Sequence, residues 1–527
     1  MLVTTNYDLV KVPPPALPHA TSDYSKAYQD QLNNVLRIYF NRLTNLLGQL
    51  MASGGTDVIP VSIGGTNVDA FGRVRASQPY TLFDSQNRYT ADTQFDTYVY
   101  GTGNTNYLPN ESTLDLQVTS SGTGNVIRQT YRCFPYQPGK GLLALATFVM
   151  TTPTSGLTQQ VGYFNSSNGV FFETRDTDIS FVLRSSTSVG GYAEDTRVNQ
   201  ADWNGDPLNG TGASGITLDV TKAQILWMDF EWLGVGSVRC GFIIDGQYIV
   251  CHTFNNANDK TKVYMTTAIL PIRYEITTTS AQTATLKQIC SSVMSEGGYE
   301  QYSIGYIARR ATALASISTT FKPIVSIRLA ADSPNAVVVP NRIQVLPTTS
   351  QNYEIALLKN ATLTGASWVN MYNAQGTGTV SGTTMTLSAV SSGAFQVGQL
   401  LSSATIGTGR YIRRQLTGTA GGAGTYELST SSTVSVAETI SALGNIEYDT
   451  SSTAVADGLI IQSDYVSSSG SGGNQPLSDP AGFNWAFQPG VSINGNFDVL
   501  TVAIRTLSAT PTGDAVGSIA LWDLTGN

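Results

Sequence analysis

The sequence predicts a mainly β protein: a multidomain chain of β-sandwich or jelly-roll units behind one N-terminal α-helix. Three observations lead there. Charged residues make up 13% of the 527, against about 25% in an average soluble protein, while Gly, Ser and Thr abound, so the surface must be neutral and hydroxyl-rich. From Gly55 onward the chain reads as short alternating runs broken by Gly, Pro, Asn and Asp, the texture of strands and turns. Only residues 24–51 carry a long helical repeat. At roughly 150 residues per domain, the length calls for three or four cores.

In chain order, residues 1–54 read as an arm and a helix. The arm ends in "KVPPPALPHA", whose prolines favour an extended backbone and remove amide donors. Thr21, Ser22 and Asp23 then offer capping oxygens, and no proline follows until the Gly54–Gly55 pair. Leu32, Leu36, Tyr39, Leu43, Leu46 and Leu50 recur at alternating spacings of four and three, the seam of an oligomerising coiled coil. Val35, Ile38, Phe40 and Leu47 widen the stripe, so an amphipathic helix packed on its own domain is the competing reading. A helical bundle suits a homo-oligomer, with a trimer favoured, although the seam does not set the number.

Residues 55–300 read as a lectin-like jelly-roll. Its firmest local signal is "RCGFIIDGQYIVCH", where Asp245-Gly246 stands between two strand-like runs. A two-residue loop would pair Ile244 with Gln247, Phe242 with Ile249, and Cys240 with Cys251. Because both faces are apolar, the hairpin is expected inside a sandwich rather than at a solvated edge. Residues 301–373 and 443–527 read as a second β-sandwich, interrupted by an inserted small β module at 374–442 made of evenly spaced short β runs. A glycine/serine loop, "SSSGSGGNQPLSDPAG", precedes the last strands.

Charge and cysteine usage remove several functions. A net charge of −8 without a basic cluster disfavours nucleic acid. No signal-peptide pattern opens the chain, and the longest apolar run, "GLLALATFVM", is about half a membrane span, so no membrane insertion is expected. Cys133, Cys240, Cys251 and Cys290 match neither a disulfide framework nor a zinc pattern and read as buried thiols. No cofactor and no metal are expected.

Two stretches invite a site. In "ILWMDFEWLGVG", Asp229 and Glu231 share one strand face about 7 Å apart, flanked by Trp227 and Trp232, a spacing that suits two glycosidase carboxylates. Jelly-roll glycosidases of the laminarinase type carry Glu-x-Asp-x-Glu there; Trp227 occupies the nucleophile's slot, so the expectation is no enzyme and no catalytic residue. In "NQADWNGDPLNGTG", Trp203 stands among Asp202, Asn204 and Asp206, an aromatic ring with polar groups as a sugar site requires. The same residues also fit an Asx-turn loop in which Trp203 plugs a subunit contact, and this is the preferred reading. Half of a calcium loop is present, but Pro207 stands where its sharp turn wants glycine. His19 and His252, the two histidines, accompany no nucleophile motif.

Longer stretches carry a resemblance. "DWNGDPLNGTGASGITLDVTKAQILWMDFEWLGVGSVRCGFIIDGQYIVCHTFNNAN", "MTTAILPIRYEI", "LKQICSSVMSEGGY", "DAFGRVRASQPYTLFDSQNRY" and "LNNVLRIYFNRLTNLL" resemble virion structural proteins of tailed bacteriophages, especially those of cyanobacteria and other aquatic bacteria. "GTGTVSGTTMTLSAVSSGAFQVGQLL", "GTGRYI" and "GTAGGAGTYELS" are similar to a mobile insert of phage fibre proteins. The resemblance implies assembly in the host bacterial cytoplasm and residence in the virion. It also implies a lectin-like jelly-roll centre and other virion proteins as partners. A tail, baseplate or fibre component is the leading assignment, a head-fibre, capsid-decoration or neck protein the alternative. A receptor-recognition protein that binds host-surface glycan through Trp203, Asp202, Asn204 and Asp206 is a third.

Overall fold

The computed structural model describes residues 26–53, 78–188, 191–231, 234–267, 269–280, 282–300, 304–467, 475–476, 487–509 and 512–525. The proline arm with His19, residues 55–77, Trp232 and most of the glycine/serine loop lie outside them. The chain divides into two compact units, 1–77 and 78–527.

The first unit contributes one helix, Lys26–Ser53. Along it Leu32, Leu36 and Tyr39 are half-buried, and Ile38 and Phe40 are exposed. Leu43, Leu46 and Leu50 lie on the same helical backbone, and their side chains fall outside the described set.

The second unit is mainly β. Its first sandwich faces an eight-stranded sheet against a seven-stranded one, all neighbours antiparallel. The eight-stranded sheet runs in space from Gln247–Phe254 through Val238–Ile244, Gln224–Glu231 and Gly141–Val149 to Ala284–Glu296. Gly141–Val149 thus sits between strands distant in sequence, so the chain crosses between layers rather than meandering. Alternation decides the core. Leu226, Met228 and Phe230 point inward beside Ala144, Ala146 and Phe148, while Ile225, Asp229 and Glu231 point outward and are more exposed. Phe172 from the facing sheet meets Phe148 at 5.7 Å and Phe242 at 5.1 Å between ring centres. Edge-to-face and offset contacts of this kind add about 0.5–1.5 kcal/mol each beyond the area they bury.

A second pair of sheets, four- and six-stranded, closes over Ile324, Ile327, Ile343, Ile355, Ile504 and Ile519. Val337, Val339 and Leu524 of this part pack into the first sandwich's core, so the two sandwiches share apolar surface. Between Asn373 and Leu443 stands a hairpin with its own apolar cluster, including Met385, Phe395, Tyr426 and Ile440. Here the structure corrects the expectation of short, even runs. Ala374–Gly393 and Gly424–Ala442 are strands of 20 and 19 residues, bent by register shifts between Gly378 and Val380 and between Gly382 and Thr384. Small residues and bulges concealed their continuity.

The Asp245-Gly246 hairpin forms, with φ of 50° and 77°, both in the left-handed region a tight turn requires. Ile244 pairs with Gln247 and Phe242 with Ile249. Beyond them the expected register fails: a bulge between Cys240 and Gly241 pairs Cys240 with His252 and leaves Cys251 unpaired. The hairpin also ends the sheet instead of lying inside it, and Tyr248 is 56% exposed. All four cysteines are free thiols; Cys133, Cys240 and Cys251 are buried, Cys290 half-buried.

Candidate functional site

Two places bring together the residues singled out from sequence. The first is the outer face of the eight-stranded sheet. Asp229 lies opposite Arg239 on the neighbouring strand, and the guanidinium clasps its carboxylate, with Nε at 3.0 Å from Oδ2. Glu231, exposed at the strand's end, accepts the Ser237 amide at 3.2 Å. Trp227 fills the slot where the catalytic pattern has its nucleophile. Its indole is buried, meets Tyr248 at 5.5 Å and donates to the Phe242 carbonyl at 3.3 Å.

A third carboxylate joins this face from far along the chain. Glu296 and Asp229 both flank Gly141: a methyl group built there would stand 3.0 Å from Glu296 Oε2 and 3.6 Å from Asp229 Oδ1. Burial raises the Glu296 pKa, the Asp229 charge raises it further, and Arg239 opposes both. Sequence reasoning missed Glu296, because only strand order places it two strands from Asp229.

The second place is the loop after Glu194–Asn199 and the edge strand it covers. A single 3-10 turn, Gln200–Asp202, swings Trp203 inward. The indole is 6% exposed, lies 4.7 Å from Phe181 and donates from Nε1 to the Val198 carbonyl at 3.1 Å. This corrects the sugar-platform expectation, since a ring inside the core offers no face to a ligand. It also removes Trp203 from any subunit contact. Asp202 stays on the exposed rim.

Asn204 has a different task. Its amide bonds the Thr253 backbone in both directions at 2.8 Å, and its own N–H meets His252 Nδ1 at 3.4 Å. The Gly205 and Asp206 amides donate to the carbonyls of Cys251 and Val250, each at 2.9 Å. A Cβ at Gly205 would stand 2.3 Å from the Val250 oxygen, so only glycine lets the loop come this close. The loop thereby satisfies part of an edge that would otherwise invite pairing. Asp206 closes an Asx turn, accepting Leu208 N at 2.9 Å and Ser214 N at 2.7 Å. Burial tends to raise its pKa, but these bonds outweigh it and hold the carboxyl below its ordinary range.

Above the Asn204 tether opens a cleft of about 600 Å³. Leu183, Phe254 and Tyr264 form apolar parts of its lining, and Glu194, Thr196, His252, Asp259, Lys260 and Lys262 supply polar ones. These residues span the chain from Leu183 to Tyr264, so no local pattern could announce them as one site; only Asn204 and His252 were singled out in advance. Among the described residues no group of three or more His, Cys, Asp or Glu could hold a metal ion.

No protein-family model matches the chain, and no curated protein matches it. Solved structures similar to it include the CBM2 module of an evolved Dit from Lactobacillus casei BL23 phage J-1, at 6% identity. That likeness covers 43% of this chain and 100% of the module, with a TM-score of 0.29. Peanut lectin is similar at 11% identity over 42% of this chain and 100% of its own, TM-score 0.26. A putative β-glucanase from Mycobacterium abscessus is similar at 10% identity over 41% and 100%, TM-score 0.27. At such identities and TM-scores these likenesses carry no statement of what the chain binds or does.

Proposed function

We propose that the chain is a non-enzymatic structural protein of a tailed-bacteriophage particle. In this reading it belongs to the tail, baseplate or fibre apparatus and works through self-assembly and contacts with other virion proteins, after assembly in the host cytoplasm. The stretches that resemble virion proteins support the particle assignment. One observation carries the non-enzymatic part: on the strand where a jelly-roll glycosidase keeps its nucleophile, Trp227 is buried, and Asp229 two residues on is clasped by Arg239. A carboxylate committed to a guanidinium is a poor base and a poor nucleophile, and Glu231 has no second free acid on its strand.

The helix Lys26–Ser53 supports self-assembly, because Ile38 and Phe40 are exposed beside a half-buried leucine seam. We extend the proposal to a homo-oligomer, with a trimer as the favoured number. Labelled antibody against the chain should decorate the tail, baseplate or fibres of intact particles. Label on the head or neck would move the assignment to a head-fibre, decoration or neck protein, and unlabelled particles would remove it. Sedimentation should find an oligomer that Leu36→Asp dissociates; a wild-type monomer at high concentration would contradict self-assembly. Reducing ends released from host polysaccharide would contradict the non-enzymatic part.

A second reading, a carbohydrate-binding protein that recognises a host-surface glycan, is favoured by the cleft above Asn204. It moves the contact away from Trp203.

A further inference from the structure

The geometry points to this cleft as a binding site for a short, neutral oligosaccharide, an inference that rests on the carbohydrate-binding reading above. Size comes first: about 600 Å³ falls within the ~300–1,000 Å³ typical of small-ligand sites and leaves room for more than one sugar ring. The lining then narrows the chemistry. Phe254 and Tyr264 are 7% and 4% exposed, so, like Trp203, they offer no stacking face and give the cleft only a fixed apolar floor.

His252 adds a donor to the lining. Its ring is 6% exposed, and Nδ1 faces the Asn204 N–H, which can only donate. In the neutral imidazole the proton therefore sits on Nε2, on a ring that lines the cleft. Glu194, an exposed carboxylate, and the Thr196 hydroxyl add acceptors and a further donor on the opposite wall.

The cations in the cleft are matched by carboxylates, which gives an anionic ligand no advantage. Lys262 Nζ donates to the Thr187 carbonyl at 2.6 Å, and Lys260 pairs with Asp259 at 3.1 Å. A phosphate, sulfate or carboxylate would meet the Glu194 and Asp259 carboxylates in the same lining and would approach a chain of net charge −8. A purely apolar ligand would strip water from Glu194 and His252 without replacing their hydrogen bonds. A pyranose offers what is left: an uncharged ring edged by hydroxyls that both donate and accept.

The test uses the full chain on an array of neutral and acidic oligosaccharides. The strongest neutral binder is then titrated calorimetrically against the wild type, Glu194→Ala and Thr196→Trp. Both positions are exposed, so both variants should melt with the wild type. The expected result is a neutral oligosaccharide that binds roughly tenfold or more weakly in each variant, about 1.4 kcal/mol. Undiminished binding in both variants would overturn the cleft assignment and leave the carbohydrate reading standing. Binding of acidic glycans alone would overturn the ligand class. No binding to any glycan would remove the inference and the carbohydrate reading together, without touching the particle assignment, which the antibody experiment decides.

Discussion

Tyr89 holds a backbone conformation that its side chain disfavours: φ is 66° and the ring is 88% exposed. The loop keeps it there because Asn87, almost fully buried, donates to the carbonyls of Gln288 and Ile289 and accepts the Asp92 amide. An L-residue in the left-handed region costs about 1–2 kcal/mol, part of which glycine returns through its freer unfolded chain. Tyr89→Gly should therefore raise stability by up to about 1 kcal/mol, read as a higher denaturation midpoint; a lower midpoint would mean that the ring makes contacts its exposure hides. Acid should act on two other residues. Burial works to raise the Asp449 pKa, but hydrogen bonds from Ser451, Ser452 and Ser367 prevail and hold it low. The stability it lends is full above the ordinary carboxylate range and is lost as pH falls through its lowered folded value. Burial lowers the His252 pKa from the ordinary 6.5, so below that value the unfolded chain binds the proton more readily and stability falls there too. The midpoint should be flat above about pH 7, decline below about 6.5 and drop more steeply below about 4. In Asp449→Asn the steep limb should flatten; an acid limb identical to wild type would count against this account.

At the scale of an element, the hairpin 238–254 separates what local sequence can specify from what it cannot. Asp245-Gly246 specified the turn, because few residue pairs accept two positive φ values. The pairing beside the turn came from counting alone. Four residues further on the count failed at Gly241, where a Cβ would stand 1.8 Å from the Ile249 oxygen and 3.0 Å from Trp227 Nε1. Glycine there lets the strands bulge and the indole seat against the backbone, and the shift turns His252 toward the cleft. Gly241→Ala should cost about 3 kcal/mol, since the obstructing atom is backbone and cannot swing aside. Gly246→Ala meets no atom within 4 Å and should cost less, about 1–2 kcal/mol, through its φ alone. Urea titrations that reverse this order would show that the bulge is not held by Gly241. A glycine inside a strand was the one available signal of the bulge, but it signals only that something unusual occurs, not which way the register moves.

At the scale of the molecule, the long hairpin at 374–442 buries its own apolar cluster, and its two ends meet: Ala374 pairs with Ala442, and the Asn373 amide donates to the Ala442 carbonyl at 2.9 Å. Replacing 375–441 by a short glycine linker should leave the rest of the second unit with an unchanged cooperative melt by calorimetry. A broad or lost transition would show that the two cores depend on each other. The amino-acid sequence by itself determined the mainly β class, the one long helix among the described residues and the tight turn at Asp245-Gly246. Each arises from local periodicity and backbone preference, which act within a few residues. Only the tertiary structure decided that Trp203 is core rather than platform, that Glu296 joins Asp229, and that Glu194, His252 and Lys262 share one cleft. Those outcomes depend on strand order and on a one-residue register shift. Non-local pairing sets both, and no stretch of neighbouring residues encodes either.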